Sequence, residues 1–223
     1  MINLNRLRMP LDIVMTLLSI VLMGGAYLFP ADIIHEILGV VLFVLWAVHI
    51  ALNRRWYGAM FRGKYNAFRI LQSIVNCCIL ICVIFLVVSG IILSNHVFAP
   101  LHIESGLGFA RIVHLLASHW YYLFMSLHIG LHVEMIATKI KSQNEHFSSI
   151  VLRLCCLLLS AYGIYAFVSR GVWKYLLLQQ QFFFIDLEKG YLMFALDYIA
   201  ILALFATLSH LIATTLKKRQ KDR

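Results

Sequence analysis

Residues 33–52 read IIHEILGVVLFVLWAVHIAL, twenty residues with one acid, no base and two histidines fourteen positions apart. At 1.5 Å per residue such a run is about 30 Å long, the thickness of a bilayer hydrocarbon core. Working outward, residues 11–29 precede it, and residues 71–94, 109–137, 149–168 and 191–216 follow as further apolar runs. Six spans predict an all-α, polytopic membrane protein. The turn at Pro30, Ala31 and Asp32 is so short that the first two spans must be antiparallel neighbours. The first run is longer than the apolar part of a signal peptide and lacks an A-x-A-like cleavage site, so it is expected to remain as an anchor.

Composition agrees with this outline. Of 223 residues 62% are hydrophobic and 13% charged, against roughly a quarter charged in an ordinary soluble domain. Such a chain cannot cover itself with polar surface, and the lipid bilayer is its solvent. The net charge of +9 is not read as a nucleic-acid footprint, because the bases sort by loop. With the N-terminus inside, Arg6, Arg8, Arg54, Arg55, Arg62, Lys64, Arg69, Lys139, Lys141, Arg153, Lys217, Lys218, Arg219, Lys221 and Arg223 share one side, fifteen of nineteen. Only Arg111, Arg170, Lys174 and Lys189 face the other. The positive-inside rule then places both termini in the cytoplasm of a multi-pass cell-membrane protein, with the bacterial cytoplasmic membrane as the expected location.

The five cysteines, Cys77, Cys78, Cys82, Cys155 and Cys156, all lie in apolar runs without the spacing of a covalent haem attachment. They read as small buried hydrophobes. Residues 169–190, with Trp173, Tyr175 and Phe182 to Phe184, are too mixed for a span and are expected to form an interfacial, extracytoplasmic segment.

Seven of ten histidines fall in the runs: His35, His49, His114, His119, His128, His132 and His210. Ionisable groups at membrane depth are rare and mark function by default, although a lone histidine can equally tie two helices together. Spacing separates the two cases. His35 and His49 are fourteen apart, as are His114 and His128. Fourteen steps of ~100° end about 40° from whole turns, so each pair shares a face, with about 21 Å between its members. The second and fourth spans run parallel, which sets His35 level with His114 near the outer surface and His49 level with His128 near the inner. Two facing imidazoles at two depths suit two b-type haems, each iron taking two neutral imidazole nitrogens.

His132 lies five turns from His114 and is the alternative inner ligand. His119, about 140° from His132 on an ideal helix, reads as a hydrogen-bonding or supporting residue, and His210 has no partner at matching spacing. His96, His102 and His146 fall in loops.

A porphyrin enters a bundle only where backbones leave room, so glycines are expected at haem depth. Gly24, Gly25, Gly39 and Gly90 fall near the outer pair and Gly130 near the inner. Propionates need cations: Arg111, one turn before His114, is the outer candidate, and Arg54 and Arg55 beside Asn53 are the inner ones. Asp12, Glu36, Glu134 and Asp197 stand near helix ends, where headgroup contact is expected and a hydrogen bond to histidine is the alternative. The expected organisation is a four-helix haem-binding core in residues 1–140, with two further helices in 141–223, all one membrane domain.

These residues resemble the flavinylation-associated cytochromes. The matching stretches are His35-Glu36-Ile37-Leu38-Gly39, His49 with Asn53-Arg54-Arg55-Trp56, Val88-Ser89-Gly90-Ile91, His114, and Leu127-His128-Ile129-Gly130-Leu131-His132, with Asp12 before them. The likeness is most specific from about residue 9 to 137 and extends to Asp186 and Leu196-Asp197-Tyr198. It implies a haem-binding subunit that passes electrons to an extracytoplasmic protein carrying flavin mononucleotide. Glu134 departs from the family, which has an aromatic residue after His132. A wider likeness to four-helix b-type cytochromes implies a quinone as electron partner, without identifying its site. The competing functions are a quinol-linked or ferric-reductase-like membrane oxidoreductase and a histidine-lined divalent-metal transporter.

Overall fold

The computed structural model describes residues 4–60, 62, 65–140, 147–184 and 190–221, and the regular elements among them are all helical. They are α1 (Leu4–Leu22), α2 (Asp32–Leu52), α3 (Arg54–Ala59), α4 (Ala67–Leu93), α5 (Leu107–Ile140), α6 (Phe147–Ser169), α7 (Val172–Leu176) and α8 (Gly190–Lys221), with short 3₁₀ turns at Ala26–Leu28 and Ala99–Leu101. Lys64, Lys141, His146, Asp186, Lys189 and Arg223 lie outside the described residues, as do the side chains of Arg6, Lys139, Arg153 and Lys221.

The six apolar runs coincide with α1, α2, α4, α5, α6 and α8. The largest difference is at α1, which starts and stops seven residues earlier than the apolar run at 11–29. Gly25 causes this. Its φ of +64° is left-handed, a conformation glycine adopts at no steric cost, and the chain turns there into the 3₁₀ segment. Gly24 belongs to the same turn, where an added Cβ would meet Leu28, and the Phe183 ring closes over Gly25. Both glycines therefore serve a tight turn, which corrects the expectation that they make room within a helix. The start of α4 has a sequence cause too: the Asn66 side chain caps it, accepting from Arg69 N at 2.7 Å.

Among the described residues α2, α4 and residues Gly190–Gln220 of α8 are long and apolar enough to cross a membrane, and α6 contributes a shorter apolar stretch, Leu154–Ser169. Their outward faces carry Val41, Val44, Ile81, Ile84, Leu157 and Ile164, all exposed. So much continuous apolar surface is stable only against lipid. Cys77, Cys155 and Cys156 are also exposed and only Cys82 is buried, so most of these free thiols sit on outward faces rather than in the core.

The close-packed part of the molecule centres on α5, which lies against α4 on one side and α8 on another, while α6 lies along α8. Tyr121, Tyr122, Phe194, Tyr198 and Ile201 fill the core, joined by Ile20 of α1 and Met23 just after it. Residues before and after 140 thus share one core. Small residues let the backbones touch: a Cβ on Gly130 would overlap the Ala206 carbonyl, and one on Gly163 the Ala200 carbonyl. Gly130 is consequently filled by α8 rather than by space for a cofactor. Hydroxyls add interhelical bonds, Ser209 Oγ donating to Leu127 O at 2.7 Å and Ser160 Oγ meeting Thr207 Oγ1 at 2.9 Å.

The α1–α2 hairpin stands against this assembly differently. α2 has no buried residue and packs closely only on α1, with slight contact to α4. Its ends are tied instead by polar bonds, beginning with Arg8 Nη2, which donates to Leu52 O at 2.8 Å.

The segment at 169–190 contains α7, whose Val172 and Tyr175 are buried against the bundle. Behind it Asp197 accepts from Arg170 Nε at 2.7 Å and from Tyr162 Oη at 2.5 Å. Arg170, expected on the outer side, and Asp197, expected at headgroups, are thus joined in a largely buried ion pair.

Gly130→Leu should force α5 and α8 apart and cost about 1–3 kcal/mol as overpacking does. Thermal unfolding in detergent should show a lowered midpoint, while the same change at Gly108, which has open space around it, should move it little.

Candidate functional site

The four histidines with equal spacing meet in two pairs. His35 and His114 have ring centres 6.4 Å apart with planes at 66°; His49 and His128 have ring centres 6.4 Å apart with planes at 74°. Each pair joins α2 to α5, two helices whose backbones otherwise scarcely approach. A gap between helices bridged at both ends by facing imidazoles is the central feature of this fold.

Hydrogen bonds decide which ring nitrogen each histidine can offer to the gap. Ser89 Oγ donates to the Phe85 carbonyl at 2.6 Å, so its remaining capacity is as an acceptor, and His114 Nδ1–H donates to it at 3.0 Å. Asn76 Oδ1 accepts from His128 Nδ1–H at 2.8 Å. Asp12 Oδ1 accepts from His49 Nδ1–H at 2.8 Å. In all three the proton sits on Nδ1, leaving Nε2 with its lone pair. At His49 that lone pair accepts from Asn53 Nδ2 at 3.4 Å, an amide that also donates to His49 O at 2.9 Å, which agrees with the proton on Nδ1. His35 differs, since its Nδ1 is buried without a hydrogen-bond partner.

Such partners are what ligating histidines ordinarily carry, because a hydrogen bond at one nitrogen fixes the tautomer and aims the other. The separation is also apt. Metal–imidazole bonds are about 2 Å long, and Nε2 lies about 1.2 Å from its ring centre, so two imidazoles on opposite sides of one metal have centres about 6.4 Å apart. Perpendicular planes are compatible with this, since each ring can turn about its metal–nitrogen axis.

The neighbours of these pairs divide into those that frame them and those that do not. Gly90 faces His114, an added Cβ falling 3.7 Å from Cε1, and Gly39 opens on free space one turn after His35. Arg111 is exposed on α5 one turn before His114. Arg54 and Arg55 lie in α3, beyond the end of α2, and are likewise exposed. His132 stacks beside His128 with ring centres 4.7 Å apart, but the ring facing His49 is that of His128.

Other histidines serve the scaffold. His119 Nδ1–H donates to Leu115 O at 2.8 Å, and the ring stacks on Tyr175 at 4.3 Å. His96 Nε2 pairs with Asp32 Oδ1 at 2.8 Å, and His102 occupies a left-handed position in the following turn. His210 is half-buried on α8. Among the described residues no three His, Cys, Asp or Glu side chains converge as a bare metal ion would require.

Headgroup contact, the expectation for the helix-end acids, is replaced by protein partners. Asp12 bonds His49, Glu134 pairs with Lys217 at 2.6 Å, and Glu36 accepts from Ser94 Oγ at 2.6 Å and from the amides of Asn95, Val97 and His96 at 2.8, 2.9 and 3.2 Å. Glu36 thereby pins α2 to the α4–α5 connection beside His35. The sequence does not mark Ser89 and Asn76 as partners of His114 and His128, because a single polar residue in an apolar run has no periodic signal.

Comparison with known proteins finds no family model, no curated protein and no solved structure that matches this chain.

Glu36→Ala should release the connection it clamps. Amide hydrogen exchange at Asn95, His96 and Val97 should accelerate at least tenfold, whereas protection in the middle of α5 should be unchanged; equal rates in variant and parent would show that the carboxylate does not hold the loop.

Proposed function

We propose that this chain is a membrane cytochrome that holds two b-type haems across the gap between α2 and α5 and conducts electrons from one side of the bilayer to the other. The observation that carries the proposal is the equal 6.4 Å separation of two histidine pairs at opposite ends of one gap. Histidine ties between helices need no common distance; two axial sites on iron do. His35 with His114 would hold one haem, and His49 with His128 the other, His132 being the alternative to His128. When bound, haem supplies one-electron iron chemistry, while the protein supplies ligands, burial and hydrogen bonds that tune it.

The chain's own residues account for the rest of the site. Ser89, Asn76 and Asp12 hold three imidazoles in the tautomer that presents Nε2. Gly90 lets α4 approach His114, and Gly39 keeps α2 clear of the gap. Arg111 at one end and Arg54 and Arg55 at the other are the cations proposed for the propionates.

In this proposal α1, α2, α4, α5, α6 and α8 make six crossings with both termini in the cytoplasm, supported by the distribution of basic residues. The His49 pair is then cytoplasmic-side and the His35 pair extracytoplasmic-side. An extracytoplasmic flavin-carrying protein as acceptor, and a quinone as a further partner, are supported by the resemblance alone. A divalent-metal relay is less well supported, because bare ions need converging clusters of three or more donors, and none is found among the described residues.

Purified from haem-sufficient cells, the chain should show a reduced b-type spectrum with about two haems per chain. His35→Ala or His114→Ala should leave about one, as should His49→Ala or His128→Ala. A colourless protein would refute the proposal, and loss of a haem in His132→Ala with retention of both in His128→Ala would reassign the inner ligand.

A further inference from the structure

The two histidine pairs are held by unequal partners, and on the two-haem reading above this inequality has a functional consequence. A carboxylate that accepts from imidazole Nδ1–H draws the proton toward itself and leaves the ring richer in electrons, so that Nε2 is a stronger donor to a metal. Stronger donation favours oxidised iron and lowers its reduction potential. Asp12 acts in this way on His49 at 2.8 Å, and the Asn76 amide oxygen acts more weakly on His128 at 2.8 Å. At the other end His114 has neutral partners, the Ser89 hydroxyl at 3.0 Å, already donating elsewhere, and the Leu86 carbonyl, and His35 Nδ1 has no partner among the described residues.

We propose that Asp12 is a positioning residue that sets the His49–His128 site below the His35–His114 site in reduction potential, so that electrons run downhill from the first to the second. Iron held by His49 and His128 would pass from ferrous to ferric as iron held by His35 and His114 passes from ferric to ferrous, one electron for one. No proton and no further reactant enters this exchange.

Other charges near the pairs do not reverse the order. Glu36 is the acid adjoining His35, but it bonds no ligand and its charge is shared among four donors. Lys217 is neutralised by Glu134, Arg8 is directed to the Leu52 carbonyl, and Arg54 and Arg55 are exposed to solvent screening. Among the described residues Asp12 is the one anion hydrogen-bonded directly to a histidine of either pair.

The test is a reductive titration of the purified full-length chain, followed by haem absorbance and electron paramagnetic resonance. Two waves are expected, and His35→Ala should remove the upper one. Asp12→Asn should raise the lower wave by at least tenfold in its equilibrium constant, about 59 mV for one electron, and leave the upper wave in place. Asp12→Glu, which keeps the carboxylate, should stay near the parent. Should Asp12→Asn lose its haem, Asn76→Asp provides the converse, since a carboxylate on His128 must push the lower wave further down. A lower wave indifferent to these changes, a shift confined to the upper wave, or loss of the lower wave in His35→Ala would overturn the inference while leaving two haems in place. A haem-free protein would overturn the two-haem reading and this inference together.

Discussion

Imidazole nitrogens set into apolar helices cannot be left to water, and satisfying them from within the bundle organises much of this molecule. Each of the four paired histidines faces a partner on another helix. Three also give their Nδ1–H to a third element: α1 through Asp12, and α4 through Asn76 and Ser89. The result is that α1, α2, α4 and α5 are joined through side chains at two levels, although α2 shares little packed surface with any helix but α1.

This division of labour separates rigidity from openness. α5 is held by van der Waals contact, with glycine and alanine bringing its backbone onto α8 and aromatic rings filling the remaining volume. α2 is held at its ends by Arg8 on a terminal carbonyl and by Glu36 on the α4–α5 connection, and its middle is free of buried residues. A helix tethered in that way keeps its register with little packed surface, Trp46 being one side chain that reaches the bundle core. The two histidine pairs are chemically different, with carboxylate and amide at one, hydroxyl and an unpartnered nitrogen at the other.

Much of this could be read before any coordinates. Apolar runs specify helices of bilayer length because every backbone polar group must be satisfied inside the segment, and α2, α4, α5, α6 and α8 begin and end within a few residues of them. The pairing of His35 with His114 and His49 with His128 was also legible, since equal spacing on two parallel helices brings like residues to the same depth. Other features were misread. Gly24 and Gly25 look like room in a helix but form a turn, because φ at Gly25 depends on where the chain must reverse. Gly130 looks like cofactor space but receives α8, and nothing local to α5 announces which helix will arrive there.

The amino-acid order by itself determined the helices and the level of each histidine along its helix, since these follow from local periodicity and from the 1.5 Å rise per residue. Only the tertiary structure decided how the histidine pairs are supported. Asp12 meets His49 across thirty-seven residues, Asn76 meets His128 across fifty-two and Ser89 meets His114 across twenty-five. Contacts of that kind depend on the rotation and offset of whole helices, which small residues such as Gly130, Gly163 and Ala206 set by letting one backbone rest on another. A chain pattern encodes the face a side chain occupies; the partner waiting on that face is settled by packing.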